Sequence, residues 1–235
     1  MATPSHSLVT GANRGLGLAL VRGLLARGDR VVATARHPGK ATALNTLTDE
    51  YPGRLHVLPL DVASDKSREE LARELPLVLD DARLGLLINN AGVLHSGERW
   101  GKLQADVFED SLRINAIGPL LLVQAVEHWL EDGATVANIS TQMASLGTRN
   151  EFRSPSYSMS KVAQNMATVQ LALALKPRRI KVVALSPGWV RTDMGGAGGE
   201  IEPAESAAGL LSTIGGLKDD DSGRFLDWRG HPMAW

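Results

Sequence analysis

The sequence predicts an α/β fold: a single-domain, doubly wound, Rossmann-like parallel sheet of about seven strands with helices on both faces. Short β-forming runs alternate with longer stretches of helical periodicity from one end of the chain to the other. The strand runs are apolar almost throughout, as strands covered on both faces are. No internal repeat and no linker long enough to divide the 235 residues interrupts the alternation, so one domain over 1–235 is expected.

In chain order, Ser7-Leu8-Val9-Thr10 reads as the first strand, and Leu16 to Ala26 as an amphipathic helix stopped by Gly28. Arg30-Val31-Val32-Ala33-Thr34 is the second strand and Leu55-His56-Val57-Leu58 the third, followed by a helix from Lys66 to Leu75. Leu84 to Ile88 is the fourth strand. The long helical stretch from about Leu103 to Leu130 should kink or divide near Gly118-Pro119, where proline removes a backbone donor. Thr135 to Ile139 is the fifth strand, Ser156 to Leu175 a helix, and Ile180 to Leu185 the sixth strand. A helix over Pro203 to Ile214 and a strand over Gly223 to Asp227 complete the pattern, and Gly195 to Gly199 reads as a flexible loop between elements.

Composition narrows the function. Hydrophobic residues make up 43% and charged residues 22%, as in a globule with a sizeable core. With 25 basic and 26 acidic residues the formal charge is −1, which favours neither nucleic acid nor an anionic membrane as partner. The absence of cysteine excludes disulfides, cysteine-ligated zinc and a thiol nucleophile. The six histidines lack metal-ligand spacing, so no metal is expected. Met1 to His6 shows no basic region leading into a long apolar core, so no secretory leader is expected there. The longest apolar run, Ile117 to Val123, is broken by Gly118 and Pro119 and is too short to span a bilayer. A cytoplasmic protein is expected.

Open parallel sheets bind ligands outside the carboxyl ends of their strands, so functional residues should lie in the turns that follow strands. The turn after the first strand reads Thr10-Gly11-Ala12-Asn13-Arg14-Gly15-Leu16-Gly17. Its glycines permit a tight turn and close backbone approach, and the helix it opens offers unpaired N–H groups to a pyrophosphate. Tyr157 stands four residues before Lys161. On a helix this places their Cβ atoms about 6 Å apart. An ammonium there should lower a phenol pKa from its ordinary value near ~10, giving a general acid or base.

The spacing T-G-x-x-x-G-x-G together with Tyr157 and Lys161 resembles the short-chain dehydrogenase/reductase family. The resemblance continues in order through Asp61-Val62, Asn89-Asn90-Ala91-Gly92, Asn115, Asn138-Ile139-Ser140-Thr141 and Pro187-Gly188-Trp189-Val190-Arg191-Thr192. The segment from Pro187 to Gly196 and the ending from Gly223 to Trp235 are similar to the sniffer-like carbonyl reductases and C-factor-like proteins within it.

The resemblance implies a dinucleotide held by Gly11, Asn13, Arg14, Gly15, Leu16, Gly17, Asp61, Val62, Asn90, Ala91, Gly92, Pro187, Gly188, Val190 and Thr192, with Tyr157 and Lys161 at its nicotinamide end. It implies hydride transfer to or from a small-molecule carbonyl or alcohol, with Tyr157 moving the proton. Lys161 would sustain Tyr157 and bind the ribose, and Asn115 would hold a proton-carrying water. A hydroxyl after the fifth strand would polarise the carbonyl. The second position of that pair is Thr141 where the family commonly has serine, so Thr141 is favoured and Ser140 is the fallback. The loop from Thr148 to Arg153 should lie at the substrate mouth. Thr34-Ala35-Arg36 carries no acid to hold a ribose 2′-hydroxyl, and Arg36 with Arg14 could fork a 2′-phosphate, so NADPH is expected over NADH.

Family precedent implies a homodimer or homotetramer packed through the helices near Ala116 to Leu130 and Ser156 to Leu175. An alternative reading is an NAD(P)-binding regulatory or C-factor-like signalling protein with little turnover. Retention of Asn115, Tyr157 and Lys161 favours the enzyme. An epimerase or dehydratase of the extended branch would more often show T-G-x-x-G-x-x-G and a longer tail, which this chain lacks.

Overall fold

A computed structural model describes residues 5–235. Residues 1–4, on which part of the leader expectation rests, lie outside the described residues. Seven strands form one sheet in the order β3-β2-β1-β4-β5-β6-β7, and every neighbouring pair is parallel. They are β1 (His6–Val9), β2 (Arg30–Ala35), β3 (Leu55–Pro59), β4 (Leu84–Asn89), β5 (Leu130–Ile139), β6 (Lys181–Ser186) and β7 (Phe225–Asp227). The chain first winds outward from β1 to β3, then returns to the other side of β1 with β4. The order therefore reverses between β1 and β4, and their carboxyl ends open the crevice where such sheets take ligands.

The helices are α1 (Gly15–Arg27), α2 (Thr42–Glu50), α3 (Asp65–Leu79), α4 (Ala105–Leu112), α5 (Gly118–Val126), α6 (Pro155–Ala174) and α7 (Pro203–Gly216). Alternation along each strand divides the core into two layers. Val9, Val31 and Ala33 pack beneath Leu20, Leu24, Leu44 and Leu210 of α1, α2 and α7. Leu8 and Val32 face the other way, into Leu71, Leu75, Leu122 and Leu171 of α3, α5 and α6. Each fully buried leucine contributes about 1.5–3 kcal/mol. The two faces of apolar strands thus account for the three-layer sandwich.

The structure corrects four local expectations. Helix α2 has no counterpart in the sequence reading, because only Leu44 and Leu47 anchor it and three threonines weaken its helical signal. Helix α3 runs on through Pro76 to Leu79 instead of stopping at Leu75. Proline there cannot donate to the carbonyl of Ala72, but the indole Nε1 of Trp129 does, at 3.1 Å.

The long helical stretch divides near Gly118-Pro119 as expected, a π turn over Arg113–Ile117 giving way to α5 at Gly118, but β5 begins as early as Leu130 instead of Thr135. Gly118 is needed where it stands, since a Cβ there would lie 2.6 Å from the carbonyl oxygen of Val62. The glycine-rich segment after β6 is closed on itself: Val190 bridges to Ile201, and Trp189 Nε1 donates to the Gly195 carbonyl at 2.8 Å.

Helix α6 is inverted relative to an ordinary surface helix. It buries Ser156, Tyr157, Ser160, Lys161, Gln164, Asn165 and Thr168, while Met159, Met166 and Leu173 face outward. Its buried stripe is polar because it lies against the site.

Candidate active site

The turn after β1 forms a cradle of backbone. Gly11 has φ 63 and packs so closely on the turn after β4 that a Cβ would lie 2.8 Å from the Cα of Ala91. A Cβ at Gly17 would meet the Gly11 carbonyl and Asn90 Nδ2. Thr10 ties the two turns together: its Oγ1 accepts from the N–H groups of Asn90 and Ala91, both at 3.0 Å. Asn90 returns the contact, donating from Nδ2 to the carbonyls of Thr10 and Gly11 at 2.9 and 3.1 Å.

Helix α1 then opens with Arg14 as N-cap, no capping side chain and no acid in its first turn. Its terminal N–H groups and dipole are unclaimed by any side chain, and Asn13 and Arg14 stand exposed at the tip. Gly11, Gly15, Leu16 and Gly17 thus fit the pyrophosphate of a dinucleotide.

The remaining expected cofactor residues surround this cradle at the same sheet edge. Arg36 follows β2 and is exposed, with no ion pair or side-chain hydrogen bond among the described residues. Asp61 follows β3, exposed, its Oδ1 accepting from the N–H of Ala63 at 3.0 Å, while Val62 is buried. Gly92 leads away from β4 beside Asn115 and Lys161. After β6, Gly188 takes φ 77 against Trp228, and Thr192 approaches Gly15, whose Cβ would lie 3.2 Å from Thr192 Cγ2. Pro187 accepts from Ser206 Oγ at 2.7 Å. Arg14 pairs with Asp193 at 2.6 Å, both side chains solvent-facing.

Tyr157 and Lys161 lie one turn apart on the buried face of α6, with Lys161 Nζ 5.9 Å from the Tyr157 ring centroid. Their electrostatics differ from the sequence expectation. Burial pushes the Tyr157 phenol up to about 12, with hydrogen bonding from Thr141 acting in the opposite sense. Burial also pushes Lys161 down to about 7. Low polarity penalises both charged forms, so desolvation outweighs the attraction that would have lowered the phenol. At neutral pH Tyr157 is therefore a phenol with its proton in place. Lys161 Nζ donates to the Ile139 carbonyl at 2.7 Å and to Gln164 Oε1 at 2.9 Å.

The two candidate hydroxyls are distinguished by their partners. Thr141 lies against Tyr157 and accepts from the N–H of Met143 at 3.2 Å. Ser140 is buried and turned inward, donating to Asn165 Oδ1 at 2.7 Å. Asn115, in the π turn, is wholly engaged: Oδ1 accepts from Val93 N–H at 2.8 Å, and Nδ2 donates to the Val93 carbonyl and Ser160 Oγ at 2.8 and 2.9 Å. Its side chain staples the loop after β4 to α6.

Sequence reasoning passed over the support behind these groups. Asn89 Nδ2 donates to Asn138 Oδ1 at 2.8 Å, and Asn138 Nδ2 donates to Thr168 Oγ1 at 2.9 Å. With Ser160, Gln164 and Asn165 they form a buried polar layer between β4, β5 and α6. The signal available was the recurrence of polar residues every three or four positions from Ser156 to Thr168 in an otherwise apolar helix. Trp100 and Phe152, both exposed, pack edge to face at 5.8 Å across the loops that follow β4 and β5. No group of three or more His, Cys, Asp or Glu able to hold a metal occurs among the described residues.

Fold and site together define a dinucleotide-binding α/β protein with a tyrosine–lysine pair at the switch point of its sheet. Residues 5–201 match the short chain dehydrogenase family, and the chain belongs to that oxidoreductase family. It is 33% identical over 235 residues to the 1-hydroxy-2-glutathionyl-2-methyl-3-butene dehydrogenase of Rhodococcus sp. (strain AD45), covering 98% of this chain and 100% of that one. It is 40% identical over 155 residues to the C-signal of Myxococcus xanthus, covering 64% of this chain and 92% of that one. Among solved structures it is similar to the NADPH-bound carbonyl reductase from chicken fatty liver, with TM-score 0.94, 35% identity and 100% of both chains covered. The carbonyl reductase Sniffer of D. melanogaster gives TM-score 0.95 at 30% identity, covering 99% of this chain and 100% of that one.

Proposed function

We propose that this chain is an NADPH-dependent carbonyl reductase in which Tyr157 is the general acid. The observation that carries the reading is the buried Tyr157, flanked by Thr141 and Lys161 at the sheet edge where α1 presents its uncapped N-terminus. Bound NADPH would supply the hydride. The chain's own residues would supply placement and electrostatics. Thr141 would orient the carbonyl oxygen toward Tyr157, whose phenol proton then passes to the developing alkoxide. Lys161, positive at or below neutral pH, would stabilise the phenolate left behind. Arg36, exposed and unpaired after β2, would receive the 2′-phosphate.

The apolar rim built by Trp100 and Phe152 suits aldehydes and ketones with an apolar body. The outward face of α6, with Met159, Met166 and Leu173, supports self-association through that helix, in keeping with the burial an apolar stripe requires.

The test is NADPH consumption against a panel of quinones, diketones and aldehydes. Tyr157→Phe should lower kcat by at least about 10²-fold, the usual worth of a positioned acid. Activity untouched by that change would sink the mechanism. The identity shared with C-signal supports a second reading, a nucleotide-binding regulatory protein. NADPH binding without turnover across the panel would favour it.

A further inference from the structure

Gln164 lies almost one helical turn beyond Lys161 on α6 and is completely buried. An ammonium has protons to give and no lone pair to receive one, so it is the amide oxygen of Gln164 that must face it. This orientation leaves Gln164 Nε2 buried without a partner among the described residues. An unpaired buried amide nitrogen is destabilising. The fold tolerates it while keeping an acceptor 2.9 Å from the lysine.

Among the described residues, no carboxylate acts on Lys161. Burial alone accounts for its depressed value, and the titratable group facing it is Tyr157, on its own helix. The π turn brings the neutral amide of Asn115, the turn after β4 brings the backbone of Gly92, and β5 brings the carbonyl of Ile139. Two carbonyl oxygens therefore take the place of water around this cation. Hydrogen bonds from a charged donor are about twice as strong as neutral ones, so both oxygens favour the ammonium over the amine.

We propose that Gln164 is a positioning residue for the proton-transfer pair: its side-chain oxygen holds Lys161 Nζ between β5 and Tyr157 and favours the ammonium over the amine. The inference rests on the reading of Tyr157 and Lys161 as that pair. A neutral acceptor does this without the tight ion pair that a carboxylate would form, and the positive potential stays available to Tyr157.

The direct test is the ionisation of Lys161 itself, followed by NMR on protein carrying lysine labelled with carbon-13 at Cε, the resonance assigned with Lys161→Arg. Gln164→Leu should lower the midpoint by about one pH unit, a tenfold smaller charged fraction at alkaline pH. Gln164→Glu, which keeps an acceptor, should raise the midpoint, and it carries the test if the leucine variant does not fold. The alkaline fall of kcat for carbonyl reduction should move in the same direction in each variant. A Lys161 midpoint unchanged from wild type in the folded variants would overturn the proposal whatever the activity. Shifted midpoints in a protein that reduces no carbonyl would uphold the hold of Gln164 on Lys161 and remove the reductase reading instead.

Discussion

At the scale of single residues, the chemistry of this site turns on burial. Tyr157 and Lys161 are each driven toward their neutral forms, which makes Tyr157 a proton donor at rest and Lys161 a group that titrates near neutrality. Reduction should therefore slow as pH rises through about 7, where Lys161 loses its charge; kcat flat from pH 6 to 9 would contradict this.

Stability should carry the opposite trace. Below about 7 the folded protein bears the full cost of burying a charged lysine; between there and 10.5 it sheds the proton that the unfolded chain retains, so this group's contribution rises with pH. Wild type should gain several degrees of Tm relative to Lys161→Met between pH 6 and 9, and melting curves with a constant gap would refute it.

For the hydroxyl pair, Thr141→Ala should cost about 10²-fold in kcat, the usual effect of losing one oriented donor. Ser140→Ala should cost far less, because Ser140 serves Asn165; a reversed order of rates would reassign the role.

At the scale of elements, two helices show tertiary contacts overriding local preference. Helix α3 crosses Pro76 because Trp129 supplies the hydrogen bond that proline cannot. Trp129→Phe keeps the ring but removes the donor, and should destabilise the fold by about 1–3 kcal/mol, as expected for an orphaned carbonyl. Denaturant unfolding that shows no loss would mean that another donor reaches Ala72.

Helix α6 was placed correctly by its sequence, from Ser156 onward, but not its orientation. Periodicity tells which residues share a face, whereas the polar layer of Asn89 and Asn138 on the neighbouring strands, with Ser140 just after β5, decides which face turns inward. Met166→Glu on the outward stripe should shift the protein toward monomer in analytical ultracentrifugation without loss of fold. An unchanged sedimentation coefficient would remove α6 from any self-association.

At the scale of the whole molecule, two loops distant in sequence meet over the dinucleotide cradle, with Arg14 on one and Asp193 on the other. That meeting divides the two arginines that looked equivalent in the sequence. Arg36→Asp should weaken NADPH by more than tenfold and favour NADH, whereas Arg14→Ala should change the preference less; equal effects in cofactor titrations would restore the fork. The exposed Arg14–Asp193 pair itself contributes little to stability, as surface ion pairs do.

The sheet, its parallel sense and the turns that carry the candidate site follow from sequence alone, because strand runs apolar almost throughout, alternating with helices of period 3.6, admit few other packings. Glycine spacing and the tyrosine–lysine pair likewise announce themselves, since each rests on contacts within a few residues. What only the tertiary structure decided depends on partners far along the chain. It turned Ser140 inward and Thr141 toward Tyr157, gave Arg14 to Asp193, spent the side chain of Asn115 on Val93 and set Gln164 against Lys161. Burial, hydrogen-bond geometry and charge exist only once those distant segments are packed together, so the elements that carry the candidate residues are legible in the sequence, but the partners and electrostatics of those residues are not.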